Sequence, residues 1–230
     1  MNQTHPRGQN QRRVCLLISG GLDSCVLSAH LAEQDWKIIP LYVRTGLLWE
    51  PIELIWMERF LACLNHLKLS PLKQISLPVG DIYQSHWSTT GNHCPGLHSK
   101  DEEVYLPGRN LILLSKATLY CALNQLNVIA LGPLKSNPFP DSTAEFFAEF
   151  QQVASRALDH DLEIMTPFSH LSKVEVIKLG DHLPLELTFS CISPVGQNHC
   201  GTCNKCAERR RSFASAFVQD RTHYDSLPDL

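Results

Sequence analysis

Ile18-Ser19-Gly20-Gly21-Leu22-Asp23-Ser24 follows an apolar run over residues 14–18 and precedes a run with helical spacing. Its two glycines therefore fall where a buried strand turns sharply into a helix. Glycine lets a backbone approach an anion closely, and the free N–H groups of a helix start point donors at that anion. Together with the hydroxyls of Ser19 and Ser24, this pattern predicts a phosphate site.

Asp23 is the unexpected member of this segment, because a carboxylate repels phosphate directly. Two roles avoid that repulsion: contact through a bound Mg²⁺, or capping of a helix that begins near Ser24. A short glycine-rich string also occurs in ordinary tight turns, so its context has to decide between the interpretations. The apolar run before it and the helical pattern after it favour the phosphate site.

Composition and charge fit one enzyme domain. At 230 residues with a formal net charge of −3, the chain can bury a sizeable core and is not a typical non-specific nucleic-acid binder. No apolar stretch approaches the roughly 18 residues of a membrane helix, and the polar N-terminal residues lack the apolar segment of a secretory signal. Nine cysteines, an odd number, fit a reduced setting. We therefore expect a cytoplasmic protein without membrane contact or stable nucleic-acid binding.

Apolar runs of strand length alternate with runs of helical spacing along the chain. This alternation predicts an α/β fold, a doubly wound parallel sheet with helices on both faces. Ligands of such sheets collect at the carboxyl ends of the strands, where the opening segment lies. The predicted strands are residues 14–18, 37–43, 73–77, 128–131 and 163–165. The predicted helices are residues 24–34, 53–67, 111–126, 145–158 and 173–183.

A second motif lies near the other end of the chain and consists of Cys191, Cys200, Cys203 and Cys206. Four thiolates can close a tetrahedral shell around Zn²⁺, and two-residue gaps let neighbouring sulfurs converge on one ion. Three close cysteines and a remote one also suit an iron–sulfur cluster, and cysteines can simply pack in a core. Structural zinc is the preferred prediction. With four protein ligands, it would stabilise this segment and not react.

Two charged residues stand in shorter strings between these motifs. In Leu106-Pro107-Gly108-Arg109-Asn110, proline and glycine fix a turn, Asn110 can cap a helix, and Arg109 offers a fixed-charge fork for phosphate or carboxylate. Lys173 begins another predicted helix, where its charge opposes the helix dipole, so that a nearby anion would explain its position. A surface arginine and an exposed lysine are the ordinary alternatives.

With these motifs in this order, the chain resembles the 7-cyano-7-deazaguanine synthase family, a zinc-containing branch of the PP-loop ATP pyrophosphatases. SGGLDS resembles the PP-loop itself, and the resemblance spans about residues 13–213. It also rests on four further strings. These are PGRN at residues 107–110 with the helix after it, TPF at 166–168 with KVE at 173–175, TFSC at 188–191, and CGTCNKCAERR at 200–210. It implies a PP-loop fold of the HUP type, similar to the adenine nucleotide alpha hydrolases, with a C-terminal segment held together by zinc.

The resemblance implies an ATP-dependent C–N ligase of queuosine biosynthesis. Such an enzyme converts 7-carboxy-7-deazaguanine and ammonia to 7-cyano-7-deazaguanine, through an adenylated carboxylate and then an amide, with ATP and Mg²⁺. Adenylation turns a poor leaving oxygen into AMP, which ammonia can displace. The protein need supply mainly positioning and charge neutralisation.

The resemblance also implies which residues form the sites. Residues 13–185 would form the ATP-binding domain and residues 186–217 the zinc segment packed on it, with residues 1–12 and 218–230 as tails. The implied catalytic residues are Asp23, Ser24, Arg109 and Lys173, and the implied zinc ligands are Cys191, Cys200, Cys203 and Cys206. The implied ATP contacts are Ile18, Ser19, Gly20, Gly21, Leu22, Asp23, Ser24, Cys25, Val26, Leu27 and Ser28.

Two segments depart from the family pattern and leave the acceptor open. Where the family commonly carries Tyr-Gly-Gln-Arg-His, residues 42–49 read YVRTGLLW, and a later Pro-Asp-Cys-Arg string becomes PDST at residues 140–143. Both segments would adjoin the active cleft. A divergent relative would activate a deazapurine or another carboxylate for a different amine, including one on a protein.

Three further expectations concern other functions and partners. A tRNA-modifying PP-loop enzyme and a non-catalytic, zinc-stabilised binding module are the remaining alternatives. The apolar stretch over residues 47–56 suits an exposed helix face at a homodimer interface. The long polar stretch over residues 80–108 is predicted to be a functional lid or a flexible excursion.

Overall fold

The computed structural model describes residues 12–64 and 68–230. Five parallel strands form one sheet in the order β3-β2-β1-β4-β5. The strands are β1 Arg13–Leu17, β2 Lys37–Arg44, β3 Lys73–Ser76, β4 Val128–Ala130 and β5 Glu163–Met165. The α-helices are α1 Leu22–Glu33, α2 Glu50–Cys63, α3 Gly80–Tyr83, α4 Trp87–Thr90, α5 Arg109–Leu123, α6 Ala144–Leu158, α7 Lys173–Leu179 and α8 Asn204–Ala216. Short 3₁₀ turns span Asp101–Val104, Pro140–Ser142 and Leu185–Leu187.

Both faces of the sheet are covered, which confirms the predicted α/β fold. Alternate side chains of β1 enter two different cores: Val14 and Leu16 pack with residues of α1, α2, α7 and α8, whereas Cys15 and Leu17 pack with residues of α5 and α6. Burial of each large apolar side chain is worth about 1.5–3 kcal/mol. The central strands β1, β2 and β4 read as continuous apolar runs because both of their faces are buried, whereas the edge strand β3 has the sequence KQIS and is mostly exposed.

A crevice opens where β1 lies beside β4 in the middle of the sheet. The chain leaves β1 into α1 on one face, whereas α5 and α6, which flank β4 in sequence, pack on the other face. Connections that diverge in this way leave a gap at the carboxyl ends of the two strands. In this gap, a Cβ atom added at Gly132 would lie 3.6 Å from the backbone of Asp23. The loops after β1 and β4 therefore form opposite sides of one cleft.

The predicted element boundaries differ from the observed ones at both ends of the helices. α5 ends at Leu123 and α7 ends at Leu179, three and four residues before their predicted ends. α1 begins at Leu22 with Gly21 as its N-cap, so the expectation that Asp23 caps this helix is wrong. α5 begins at Arg109 with Gly108 as its N-cap. Asn110 lies inside that helix, where its side-chain amide donates to Asp141 O at 2.8 Å, so it does not cap either.

Helices α2 and α8 also differ from expectation. α2 begins three residues before the predicted start and ends at Cys63, and the end of the predicted range, residues 65–67, lies outside the described residues. α8 was not predicted, because its charged, apolar-poor sequence hides the helical pattern. It nevertheless buries six residues, among them Cys206 and Arg209.

The predicted apolar face over residues 47–56 is only partly exposed. Leu47 and Trp49 are 5% and 3% exposed and pack in a core with Phe189 and the cysteines of the C-terminal motif, whereas Leu48 is 46% exposed. The carboxyl of Glu50 fixes the turn before α2, because its Oε1 accepts hydrogen bonds from the N–H groups of Thr45 and Gly46 at 2.5 and 2.9 Å. A homodimer interface at this segment stays a prediction.

The C-terminal residues lie against the cysteine motif. The N–H groups of Asp225 and Ser226 donate to the carbonyls of His199 and Cys200 at 2.8 and 3.2 Å. Gly201 has a φ of +81°, and a Cβ atom there would collide with Ser226 O at 1.6 Å. Only glycine therefore fits this contact. Across residues 12–64 and 68–230, no helix has the length and apolar character needed to cross a membrane.

Candidate active site and cysteine cluster

The loop between β1 and α1 has the geometry of an anion site. The N–H of Ser19 donates to Ser24 Oγ at 3.2 Å, and the Ser24 hydroxyl donates to Gly21 O at 3.1 Å, which holds the turn closed. Among the described residues, no side chain caps the start of α1. Its first N–H groups, which helix geometry leaves without intrahelical partners, are therefore available to a ligand.

Gly20 makes this turn possible. Its φ of +71° lies in the left-handed region, and a Cβ atom there would lie 3.1 Å from both Glu53 O and Met57 Cβ. A side chain here would strain the backbone and crowd α2. The loop therefore packs directly on α2, and Glu53 lies immediately behind it.

A chain of alternating charges connects α1, α7 and α8 beside this loop. Lys173 Nζ lies 2.5 Å from Asp23 Oδ2 and 3.7 Å from Glu208 Oε1, and Lys205 Nζ lies 2.7 Å from Glu208 Oε2. Burial lowers the pKa of Lys173, but the carboxylates of Asp23 and Glu208 outweigh burial and raise it. Lys173 is therefore a positive charge at this end of the cleft.

The two carboxylates of this chain of charges are not equivalent. Burial raises the pKa of Glu208, but Lys173 and Lys205 outweigh burial and hold this pKa at about 2. Asp23 keeps one oxygen, Oδ1, buried and without a hydrogen-bond partner among the described residues. A buried carboxylate oxygen without a donor is the kind of ligand that Mg²⁺ accepts.

The four predicted catalytic residues, Asp23, Ser24, Arg109 and Lys173, all line one cavity of about 330 Å³. Such a volume is at the lower end of the range for small-molecule sites. Of the other predicted nucleotide contacts, those that also line it are Ile18, Ser19, Gly21 and Leu22. Those that pack in the core behind the loop are Cys25, Val26, Leu27 and Ser28, each at most 1% exposed.

Part of the cavity wall is aromatic and acidic. Trp49 and Trp87 stack with ring centres 5.7 Å apart and planes 16° from parallel, and both line the cavity. From the two segments that depart from the family pattern, Val43, Thr45 and Asp141 line it as well, and of these only Asp141 matches the pattern. The structure thus brings both departing segments to the cleft, as the sequence predicted.

Glu53 is a cleft residue that the sequence interpretation missed. It is 6% exposed, and its Oε2 accepts a hydrogen bond from Tyr42 Oη at 2.5 Å. Burial raises the pKa of Glu53 to about 7, even though Arg109 and the Tyr42 hydroxyl both lower it. One signal was available: Glu53 shares a helical face with Met57 and Phe60, so a carboxyl occupies a core position.

The four cysteines of the C-terminal motif form one buried cluster. Their sulfur atoms all lie within 4.8 Å of one another. The Cys191–Cys203 and Cys200–Cys206 sulfur pairs are each 3.9 Å apart. Four sulfurs bound to one Zn²⁺ at its usual bond length are about 3.8 Å apart. The cluster therefore fits a tetrahedral metal ion.

Backbone donors surround this cluster, as they do around thiolates. The N–H groups of Ser193 and Cys200 donate to Cys191 Sγ at 3.4 and 3.3 Å, and those of Thr202 and Cys203 donate to Cys200 Sγ at 3.4 and 3.2 Å. Such bonds favour the charged form of a sulfur ligand. The donor set therefore suits a metal bound by thiolates.

The cluster and the cleft share an element. Cys203 is the N-cap residue of α8, and the next turns of this helix carry Lys205, Cys206 and Glu208. Lys205 and Glu208 line the cavity. A metal on the cysteines would thus hold the start of the helix that supplies charge to the cleft.

A parallel α/β sheet with a glycine turn at the switch point, followed by a four-cysteine cluster, defines a protein of the PP-loop class. A solved 4-thiouridine synthetase–RNA complex with bound ATP has the same fold, with a TM-score of 0.50 and 13% identity over 89% of this chain and 50% of that chain. The chain belongs to the queuosine biosynthesis protein QueC family, whose model matches residues 13–217.

Relatives with assigned names agree with this family. The 7-cyano-7-deazaguanine synthase of Methanobrevibacter smithii is 30% identical over 229 residues, which cover 93% of this chain and 98% of the relative. The 7-cyano-7-deazaguanine synthase 1 of Desulfitobacterium hafniense is 30% identical over 208 residues, which cover 88% and 92%. These relatives indicate an enzyme of the 7-cyano-7-deazaguanine synthase type.

Proposed function

We propose that this protein is an ATP-dependent ligase that converts 7-carboxy-7-deazaguanine and ammonia to 7-cyano-7-deazaguanine in the cytoplasm. The observation that carries the proposal is the single cavity in which the glycine turn, Lys173 and Arg109 meet beside an aromatic wall. The names of the relatives support the choice of substrate. The proposal assigns the two ends of the cavity to the two substrates.

ATP binds at the end formed by the glycine turn. The free N–H groups at the start of α1 and the ammonium group of Lys173 face the phosphates, where they neutralise the charge that develops on pyrophosphate as it leaves. Asp23 holds Mg²⁺ through Oδ1, which lacks a partner among the described residues. Bound there, Mg²⁺ supplies positive charge to the phosphate oxygens.

The deazapurine binds at the aromatic end. Trp87, which stacks on the buried Trp49, offers ring surface to a planar heterocycle, and Arg109 offers a planar fork to its carboxylate. No hydrogen bond or ion pair occupies the Arg109 side chain among the described residues, so the fork is available to a ligand. This arrangement turns the carboxylate toward the phosphate end.

The reaction then follows from the position of the two substrates. A carboxylate oxygen attacks the α-phosphorus, and pyrophosphate leaves. Ammonia forms a C–N bond to the activated carbon, the C–O bond to AMP breaks, and the amide results. A second ATP activates the amide oxygen in the same way, and loss of AMP with the remaining nitrogen protons yields the nitrile. Positioning supplies most of the rate enhancement.

Zinc on Cys191, Cys200, Cys203 and Cys206 has a structural role in this proposal. Four thiolates leave the ion no open coordination position, so it stabilises the start of α8 and takes no part in the reaction. Lys205 and Glu208 depend on that helix for their place in the cleft. Loss of zinc would therefore weaken nucleotide binding as well as folding.

One observation favours a second acceptor. Val43 and Thr45, which stand where the family commonly carries glycine and arginine, line the cavity. Altered residues at the acceptor end would let the same ATP chemistry join a deazapurine carboxylate, or another carboxylate, to a different amine, including an amine of a protein. The phosphate end would be unchanged.

Product analysis tests the proposal. Purified zinc-loaded protein is incubated with ATP, Mg²⁺ and ammonia, with and without 7-carboxy-7-deazaguanine, and the products are identified by mass spectrometry. We expect AMP, pyrophosphate and the nitrile only when the acid is present. Conversion of a different acid or amine from a matched panel would establish the second acceptor. Absence of AMP with every acid would contradict both assignments.

A further inference from the structure

Glu53 lies directly behind the phosphate turn. A Cβ atom at Gly20 would be 3.2 Å from Glu53 Cγ and 3.1 Å from Glu53 O. The carboxyl group lines the cavity. Its backbone N–H also donates to Trp49 O at 2.9 Å, so Glu53 lies between the phosphate turn and the aromatic wall.

Within the part of the chain that the structure describes, one oxygen of this carboxyl has a hydrogen-bond partner and the other has none. Oε2 accepts the Tyr42 hydroxyl at 2.5 Å, and no hydrogen bond among residues 12–64 and 68–230 involves Oε1. By contrast, the neighbouring carboxyl of Glu50 accepts three hydrogen bonds from Thr45 and Gly46. Glu50 is therefore part of the turn, whereas Glu53 keeps an acceptor for a ligand.

The charged and titratable groups around Glu53 come from four elements. Tyr42 on β2 and Arg109 on α5 lower its pKa, Glu50 on α2 raises it, and Cys25 on α1 is a buried thiol whose own pKa is raised by burial and by Glu53. Burial outweighs the two groups that lower the pKa, which reaches about 7. At neutral pH, Glu53 is therefore present in both its protonated and its ionised form, which suits a group that accepts and releases a proton.

We propose that Glu53 accepts the proton that the attacking nitrogen loses when ammonia displaces AMP. The inference rests on the proposed function and adds a base to it. In the step, nitrogen forms a bond to the activated carbon, the carbon–oxygen bond to AMP breaks with its electron pair on AMP, and one N–H proton moves to Glu53 Oε1. The Tyr42 hydroxyl is a positioning group, because its hydrogen bond holds Oε2 and directs Oε1 into the cleft.

A comparison of two half-reactions tests this role. Adenylation is measured by acid-dependent exchange of pyrophosphate into ATP, and nitrogen transfer by amide formation from ammonia. We expect Glu53→Gln to keep exchange within about twofold of the wild type and to lose about 100-fold or more in transfer. Glu58→Gln is the matched control, since Glu58 is exposed on the same helix and does not line the cavity.

A second nucleophile keeps the test independent of folding. Hydroxylamine is unprotonated at neutral pH and depends less on a base, so Glu53→Gln should form hydroxamate at a rate within about tenfold of the wild type. A Glu53→Gln variant that transfers ammonia within threefold of the wild type overturns the inference, as does equal loss of exchange and transfer. If the wild type shows no exchange, the proposed function fails instead.

The pH dependence of nitrogen transfer distinguishes a base from a residue with a purely structural role. At a fixed concentration of unprotonated ammonia, transfer by the wild type should rise with pH through about 7, as Glu53 loses its proton. Tyr42→Phe removes a hydrogen bond that stabilises the carboxylate, so the midpoint should move to higher pH. A midpoint unchanged in Tyr42→Phe, or a rise with pH that persists in Glu53→Gln, contradicts the assignment.

Discussion

Lys173 Nζ lies 2.5 Å from Asp23 Oδ2, although 150 residues separate them in the chain. One residue belongs to the first turn of α1 and the other begins α7. Their contact explains why a lysine is tolerated at a helix start, where its charge opposes the helix dipole. The pair also brings one positive charge to the turn that offers N–H groups to phosphate.

Replacing this lysine should cost both activity and stability. Lys173→Gln leaves Asp23 and Glu208 without their shared cation, which should lower the free energy of unfolding by about 1–3 kcal/mol. It should also raise the KM for ATP by about tenfold or more, because phosphate loses a charge partner. Urea unfolding and steady-state kinetics measure the two effects. Lys178→Gln, an exposed change on the same helix, should alter neither.

Replacing Arg109 should affect the KM values of the two substrates differently. Arg109→Lys keeps the charge but removes the planar fork, so we expect the KM for the carboxylate substrate to rise by about tenfold and the KM for ATP to change less. Initial rates with each substrate varied in turn distinguish these outcomes. Arg156→Lys provides a control at an exposed position outside the cavity. Equal effects on both KM values would argue against a carboxylate contact.

The cysteine cluster should hold one zinc ion per chain and no iron. Cys203→Ser should lose that ion and destabilise the protein by more than about 4 kcal/mol, since it removes a ligand and exposes three buried thiolates to repulsion. Elemental analysis and thermal unfolding follow the two effects. Cys63→Ser, at an exposed cysteine outside the cluster, should keep the metal and the stability. Stoichiometric iron with a visible absorption band would contradict the zinc assignment.

Glu53 should make the fold less stable as the pH rises. Its pKa is about 7 in the folded protein against 4.5 for an ordinary glutamate. The folded state therefore holds the proton more tightly than the unfolded state, and stability falls between pH 4.5 and 7 and stays low above 7.

Replacing the carboxyl of Glu53 should abolish this loss of stability at higher pH. Relative to the wild type, Glu53→Gln should gain about 1–3 kcal/mol of stability on going from pH 4.5 to pH 8, because glutamine keeps an acceptor for Tyr42 without a charge. Urea unfolding at the two pH values gives the difference. Glu58→Gln should show no such gain. If Glu53→Gln destabilises the protein more at pH 8 than at pH 4.5, the predicted direction of the pH dependence is wrong.

Much of the fold and part of the site could be predicted from sequence because they depend on local patterns. The continuous apolar run around Leu16 identifies a strand buried on both faces, and the glycines after it identify its turn into a helix. The two-residue gaps that separate Cys200, Cys203 and Cys206 are also a local pattern, and they bring the three sulfurs together. Local spacing is enough in each case.

The rest of the site depends on contacts between distant segments. Glu53 lies on α2, and only the packing of that helix behind Gly20 makes its carboxyl a cleft residue. Glu208 and Lys205 reach the cleft because α8 packs on α7, and no pattern around them predicted that helix. The burial of Leu47 and Trp49 was missed for the same reason, since they pack against residues of the C-terminal motif that are distant in the chain.

The sequence by itself determined the parallel sheet, the glycine turn at the end of β1 and the four-cysteine motif, because strand burial, turn conformation and ligand spacing are properties of neighbouring residues. Only the tertiary structure decided which charges meet. Asp23 pairs with Lys173, and Glu53 loses its hydration beside Tyr42. Helix α8, which begins at the cysteine cluster, brings the charged side chains of Lys205 and Glu208 to the cleft. These relationships depend on distance and burial in three dimensions, which set the strength of electrostatic interactions and are not encoded in spacing along the chain.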